Sequence, residues 1–356
     1  MRYVFDLDGV ICQLKTSNQT YEDVIPNKQV IKIINELKKN EHYIIIHTAR
    51  HMKTCNGDVT KVKQKIGKIT EKWLHKWNVN YDELIFGKPH GDVYIDDLGI
   101  TFSSADNLSN ELDKMKMNFV IPMAGEGKRF KNSGVKKPKF MIKYKEKMLF
   151  DWAMESLPMD LVHKIYFICL EEHENEFSVK KFIKSHIRKI SKNINFEIIL
   201  INKKTRGQAE SVLTVKQEIN NNKSLLIFNI DSNFKSSRLK SNLKSLKNKN
   251  LDGLIGVCYS KNPMLSFVKK SNNGFVTKIK EKEIISNLAS TGLYVFTKGS
   301  DFVKNTEYMI NKNIRIKNEF YISEIYNIMI KKKKNFIVDT SEEFMDLGTP
   351  ENLKKL

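Results

Sequence analysis

Short apolar runs alternate with longer amphipathic stretches from the start of the chain. RYVFDLD (residues 2–8), HYIIIHTA (42–49), ELIFGK (83–88) and DVYIDD (92–97) have the length and composition of strands. Between them, VIKIINELKKN (30–40) and residues 60–77 repeat apolar positions every three or four residues, the period of a helix with one buried face. In the second of these helices the stripe is Val62, Ile66, Ile69, Trp73 and Trp77, which reads as core. This alternation predicts a parallel sheet covered by helices. Residues 105–116 are polar and helical in composition, and Asn118-Phe119-Val120-Ile121 then opens a fresh strand. A boundary there gives two α/β domains, 1–114 and 117–356. The second continues with KIYFICL (164–170), FEIILIN (196–202), a helix after Gly207, SLLIFNID (224–231), LIGVCYS (254–260) and NFIVDT (335–340).

The first strand ends in Asp6-Leu7-Asp8-Gly9. Side chains at i and i+2 of a strand share a face, and the glycine permits a tight turn that brings amides toward a phosphate. A carboxylate nucleophile can take a phosphoryl group when a second acid protonates the leaving oxygen and a cation offsets the gathered charge. Further polar groups follow later strands: Thr48 and Arg50, then Lys88, then Asp96-Asp97. The carboxyl ends of parallel strands converge on one crevice.

These four segments resemble the haloacid dehalogenase (HAD) superfamily of phosphatases, and IHTAR with FGKPHGDVYIDD is similar to its small capsule-biosynthesis members. The resemblance implies a HAD-like Rossmannoid parallel sheet without a large cap. It further implies Asp6 as nucleophile and Asp8 as general acid and then base. Thr48 would bind phosphoryl oxygens, Lys88 would hold Asp6 and the phosphoryl group, and Asp6, Asp8, Asp96 and Asp97 would serve at a Mg²⁺ site. His47, His75 and His90 lack metal-ligand spacing and read as packing or surface residues.

A second phosphate-handling signature follows the strand at 118–121: Ala124-Gly125-Glu126-Gly127-Lys128-Arg129-Phe130, then Lys137-Pro138-Lys139. A dinucleotide fingerprint would have glycine where Phe130 stands, and a Walker loop would have four residues between its glycines. What remains is a glycine-rich strand-to-helix turn whose amides can cradle a triphosphate beside a run of cations.

This segment resembles the start of the sugar-1-phosphate nucleotidylyltransferases (NDP-sugar pyrophosphorylases), a GT-A/Rossmann-like fold with a mixed sheet, and the resemblance extends over nearly all of 117–356. It implies triphosphate contacts at Ala124, Gly125, Glu126, Gly127 and Lys128, and a nucleobase and ribose loop at Thr205 to Glu210 with Gly207 and Gln208. Arg129 and Lys139 would be catalytic cations, and Asp231 and Asp346 would hold Mg²⁺. Acceptor-binding positions fall on Glu281, Lys282, Thr291, Gly292, Glu319 and Tyr321. Lys128 stands where many relatives carry a small residue, so base identity is not carried over.

Composition narrows the classes. At 356 residues and 40% hydrophobic content the chain can fill two cores. A net charge of +20 raises nucleic-acid binding, but the lysines are spread out and often lie beside asparagine, without any recognised nucleic-acid motif. A field attracting anionic substrates is the better reading. Cys12, Cys55, Cys169 and Cys258 are widely separated, which signals neither a disulfide framework nor a zinc cluster. No apolar run reaches membrane-spanning length and Asp6 lies too near the start for a cleavable leader, so a cytoplasmic protein without membrane partners is expected.

The expectation is therefore a bifunctional enzyme of surface-polysaccharide precursor synthesis. One site would hydrolyse a phosphate monoester. The other would join a nucleoside triphosphate, with CTP favoured, to a sugar or polyol phosphate. A chain with only one active domain and a basic nucleic-acid binder are the alternatives.

Overall fold

The computed structural model describes residues 1–96 and 98–355. The chain divides into two compact units, Met1–Asp113 and Lys114–Leu356.

In the first unit β1 (Arg2–Phe5), β2 (Tyr43–Thr48) and β3 (Glu83–Phe86) form a parallel sheet in that order. Parallel strands need crossovers, and helices supply them. Lys28–Lys39 starts at Asn27, whose side chain accepts the Val30 N–H, and ends on Lys38 and Lys39, cations suited to a helix C-terminus. The run 59–76 is helical throughout, but its middle, Lys63–Gly67, opens into a π turn. The expected stripe still faces inward: Val62, Ile66 and Trp73 are buried, and Ile69 and Trp77 are partly so. Trp73 anchors the core and donates its indole N–H to the Val24 carbonyl at 2.9 Å.

The expected strand DVYIDD does not form among the described residues. Val93 and Ile95 are 78% and 99% exposed, so this apolar pair lacks the packed face that would hold it in a sheet. The segment curls on itself instead. The Tyr94 hydroxyl donates to the Pro89 carbonyl at 2.5 Å, its ring lies under Lys88 Nζ at 4.4 Å, and Asp96 accepts the Leu98 N–H at 2.6 Å.

The second unit is built on a nine-stranded mixed sheet. The unit's described strands, in this sheet and outside it, are in chain order β4 (Met117–Pro122), β5 (Lys143–Tyr144), β6 (Lys147–Met148), β7 (Val162–Leu170), β8 (Phe196–Ile201), β9 (Ser224–Phe228), β10 (Ser232–Lys235), β11 (Gly253–Tyr259), β12 (Ser266–Lys270), β13 (Val276–Glu281), β14 (Leu288–Phe296), β15 (Phe336–Thr340) and β16 (Glu343–Asp346). The main path runs β13-β12-β14-β9-β4-β7-β8, and β11 joins β14 to β15. From β9 through β8 the strands are parallel, whereas β14 runs antiparallel to β9, β11 and β12. β4, β9 and β14 are buried almost throughout, as strands covered on both faces must be. Outside this sheet β5 pairs with β6, and β10 pairs antiparallel with β16. No described helix is long and apolar enough to cross a membrane.

Candidate active site

In the first unit the ends of β1, β2 and the segment after β3 bring Asp6, Asp8, Arg50 and Lys88 together. Lys88 Nζ donates to Asp6 Oδ2 at 2.5 Å. Arg50 Nε reaches Asp8 Oδ2 at 2.9 Å and its Nη2 reaches Oδ1 at 2.9 Å, a bidentate fork from a fully buried side chain. The same guanidinium donates to Thr70 at 3.2 Å and lies 4.5 Å from the Tyr21 ring centre. Gly9 takes a φ of +89°, the left-handed turn that the sequence led us to expect there. Beside this cluster the His47 imidazolium is disfavoured first by burial and then by Lys88, against the pull of Asp6. Burial pushes the Cys12 thiol up to about 12, with Asp8 adding to it.

Thr48 and the expected metal ligands among the described residues are engaged within the protein. Thr48 is fully buried and its hydroxyl accepts the Arg50 N–H at 3.1 Å, which caps the turn after β2. Among the described residues of either unit no group of three or more His, Cys, Asp or Glu side chains could hold an ion. Asp6 and Asp8 are each taken by a cation, and Asp96 is spent on its own loop. Asp97 lies outside the described residues.

In the second unit β4 ends in the glycine-rich turn. The N–H groups of Gly125, Glu126 and Gly127 have no partner among the described residues, and Gly127 takes a φ of +62° just before the short helix Lys128–Asn132. The Ala124 side chain is buried in the core, so any contact it makes with a ligand is through its backbone. Glu126 is flanked by Lys128 and Lys204, both at 3.4 Å. Burial works against its charge, but the two lysines prevail and hold it below the usual carboxylate range.

Across the turn Lys139 Nζ donates to Asp231 Oδ2 at 2.7 Å. Burial alone would raise the Asp231 carboxyl, yet Lys139, and Arg129 after it, lower it below its ordinary value. The β10–β16 ladder sets Ser232 opposite Asp346, and the Leu347 N–H donates to the Asp231 carbonyl at 2.8 Å. Both carboxylates therefore converge on Gly348: a Cβ there would stand 3.0 Å from Asp346 Oδ1 and 3.5 Å from Asp231 Oδ2. Asp346 also accepts the Gly348 N–H at 2.9 Å and faces the Asn262 amide at 3.5 Å.

The loop at 205–210 is pinned to the segment before helix Ile322–Lys331. Phe320 donates its N–H to the Arg206 carbonyl at 2.8 Å and accepts the Ala209 N–H at 3.0 Å. This approach requires glycine at 207, where φ is +140° and a Cβ would stand 2.4 Å from the Phe320 nitrogen. Gln208 hydrogen-bonds the Asn229 side chain, and the Asn229 N–H donates to the Gly292 carbonyl at 3.1 Å. Gly292 has a φ of +85° and is in turn the only residue type that clears Asn229, whose Cβ would lie 2.9 Å away.

Most of the acceptor positions lie together. Lys282 Nζ donates to the Tyr321 hydroxyl at 3.2 Å, and that hydroxyl is raised by burial and by Glu319 and Glu281, with Arg129 opposing. Thr291 is the exception. It is fully buried and its Oγ1 lies where a Cβ on Gly256 would come within 2.5 Å, so it packs inside the sheet and not in the site. Alternation along β14 explains this, because neighbours on a strand face opposite ways. Sequence reasoning missed Asn229, Lys204, Asn262, Ser266, Ser323 and Tyr294. The available signal was a polar residue inside an otherwise apolar strand, as with Tyr294 in β14.

Comparison with known proteins agrees with the second unit. The family described as nucleotidyl transferase matches residues 119–356. The nucleoside-diphosphate-sugar pyrophosphorylase from Vibrio cholerae RC9 is 26% identical with a TM-score of 0.55, over 67% of this chain and 98% of its own. A UDP-glucose pyrophosphorylase complexed with UDP-glucose is 18% identical (TM-score 0.54, 67% of this chain and 96% of its own). The inositol-1-phosphate CTP transferase from T. maritima is 15% identical (TM-score 0.51, 67% and 91%). The last two are similar in fold. No curated protein sequence matches the chain.

Proposed function

We propose, from the premise that this chain belongs through residues 119–356 to the nucleotidyl transferase family, that its second unit joins a nucleoside triphosphate to a sugar or polyol phosphate and releases pyrophosphate. The observation that carries this reading is the convergence of Asp231 and Asp346 on Gly348, with Lys139 on one carboxylate and Arg129 within electrostatic reach. An oxygen of the acceptor phosphate attacks the α-phosphorus, a new P–O bond forms, and the bond to the β-phosphate oxygen breaks. The attacking phosphate is already anionic, so no side chain need remove a proton. Lys139 and Arg129 offset the charge that builds on the transferring and leaving phosphates, and the amides of Gly125 to Gly127 face the triphosphate. Gln208, held by Asn229, orients the base. Lys282 pairs with the acceptor phosphate, while Glu281, Gly292, Glu319 and Tyr321 border the acceptor.

The paired carboxylates fit a divalent cation, because two acidic oxygens face one small gap with no side chain between them. Asp231 and Asp346 would hold Mg²⁺, which when bound supplies charge neutralisation at the α-phosphate. CTP is the favoured donor.

For the first unit, residues 1–114, we favour phosphate-monoester hydrolysis. Asp6 would attack phosphorus to form an aspartyl-phosphate as the bond to the ester oxygen breaks, with Lys88 neutralising the phosphoryl oxygens; Asp8, oriented by Arg50, would protonate that leaving oxygen and then take a proton from the water that attacks phosphorus and frees Asp6 and inorganic phosphate. The Asp6–Lys88 contact supports this role. Together the two reactions would serve surface-polysaccharide precursor synthesis. Pyrophosphate release, measured for each nucleoside triphosphate against hexose, heptose and polyol phosphates, tests the transferase. Background release with every pair would overturn it.

A further inference from the structure

Behind the acceptor positions lies a buried line of hydroxyls that the proposed reaction has not yet used. Ser266 stands opposite Glu281 in the β12–β13 ladder and donates to Glu281 Oε2 at 2.5 Å. Ser323, from the first turn of helix Ile322–Lys331, donates to the same oxygen at 3.1 Å. Both serines are nine-tenths buried or more, so their hydroxyls have no water to turn to. Tyr294, also buried, is within hydrogen-bond reach of Ser266 and Ser290. Ser290 accepts the Gly292 N–H at 3.1 Å, and Gly292 accepts the Asn229 N–H, so the line runs on to Gln208 on the nucleotide side.

Glu281 Oε2 is saturated by two donors, whereas Oε1 is engaged by none of the described residues. A carboxylate oxygen presented in this way accepts from a hydroxyl and repels a phosphate. The phosphate-seeking group, Lys282, stands next to it in the chain.

Resting on the acceptor-site reading above, we infer that Ser266, Ser323 and Tyr294 are positioning residues that aim Glu281 Oε1 at a hydroxyl of the acceptor. Loss of the clamp frees the carboxylate to rotate and weakens that hydroxyl contact, leaving the triphosphate side unchanged.

The test uses the full chain and whichever of glucose 1-phosphate, inositol 1-phosphate and glycerol 3-phosphate is turned over best, with its monodeoxy analogues. In the Ser266→Ala/Ser323→Ala double variant the acceptor KM should rise about tenfold while the nucleotide KM holds, and Ser266→Ala/Ser323→Thr should recover most of the loss. One monodeoxy analogue should lose about tenfold in the original protein and almost nothing further in the double variant. An unchanged acceptor KM overturns the clamp while the transferase reading stands. A fall in kcat with both KM values raised and a lower unfolding midpoint overturns it as well, since that is merely a weakened fold. Background release by the original protein with every pair removes the acceptor-site reading and the clamp with it.

Discussion

Each unit sets an aspartate at a strand end and gives it a lysine, with Lys88 on Asp6 at 2.5 Å and Lys139 on Asp231 at 2.7 Å. They differ in what happens to the second carboxylate. In the second unit Asp346 sits on a strand that pairs with the one following Asp231, so a backbone ladder fixes the two acids across Gly348. In the first unit Asp8 is gripped by buried Arg50, and Asp96 rides on a segment that no ladder holds. A carboxylate pair is pre-organised for a cation when hydrogen-bonded backbone carries both members. When side-chain ion pairs carry them, the acids are neutralised one at a time.

The largest expected effect breaks the second unit alone. Asp346→Ala should lower kcat for pyrophosphate release about a thousandfold by removing one of two charges at the transferring phosphate, with little change in the unfolding midpoint. Retention of more than a tenth of the rate would show that the pair is not the centre of the reaction. In the first unit, Arg50→Met should destabilise by about 3 kcal/mol, read from denaturant unfolding, because Asp8 is left half-buried without its cation.

Gly207→Ala comes next. Its Cβ would press on the Phe320 backbone, so a loss of about 1–3 kcal/mol and a raised nucleotide KM are expected together. Lys139→Met carries a pH signature. The Asp231 carboxyl is held below its ordinary value of 3.8, so its ion pair contributes stability above that value, and the contribution is lost as pH falls through the lowered one. Without Lys139 the acid limb of pyrophosphate release should move to higher pH, and an unmoved limb would detach Lys139 from Asp231. The smallest effect belongs to Lys128→Ala. Its ion pair with Glu126 is exposed, so stability should change by under about 0.5 kcal/mol while the nucleotide KM rises a few-fold.

The two sites were not equally legible in the sequence. Val62, Ile66 and Trp73 announced their helix because periodicity is local, and Gly125-Glu126-Gly127 announced a strand-to-helix turn because its two glycines lie within three residues. The DVYIDD segment has a strand's pattern but finds no packed face, a tertiary fact that no local pattern contains. The family resemblance puts the neighbours Thr291 and Gly292 together at the acceptor, yet strand alternation buries the first and leaves the second against Asn229. The clamp was invisible for a related reason. Ser266, Tyr294 and Ser323 lie on three separate elements, and each alone is an ordinary polar residue.

The central claim is that nucleotidyl transfer belongs to the second unit and depends on Asp231. Pyrophosphate release from CTP and the preferred acceptor phosphate, compared between the original protein, Asp6→Asn and Asp231→Ala, tests it most directly. The account predicts full release with Asp6→Asn and background with Asp231→Ala; release that survives Asp231→Ala, or that disappears with Asp6→Asn, would contradict it.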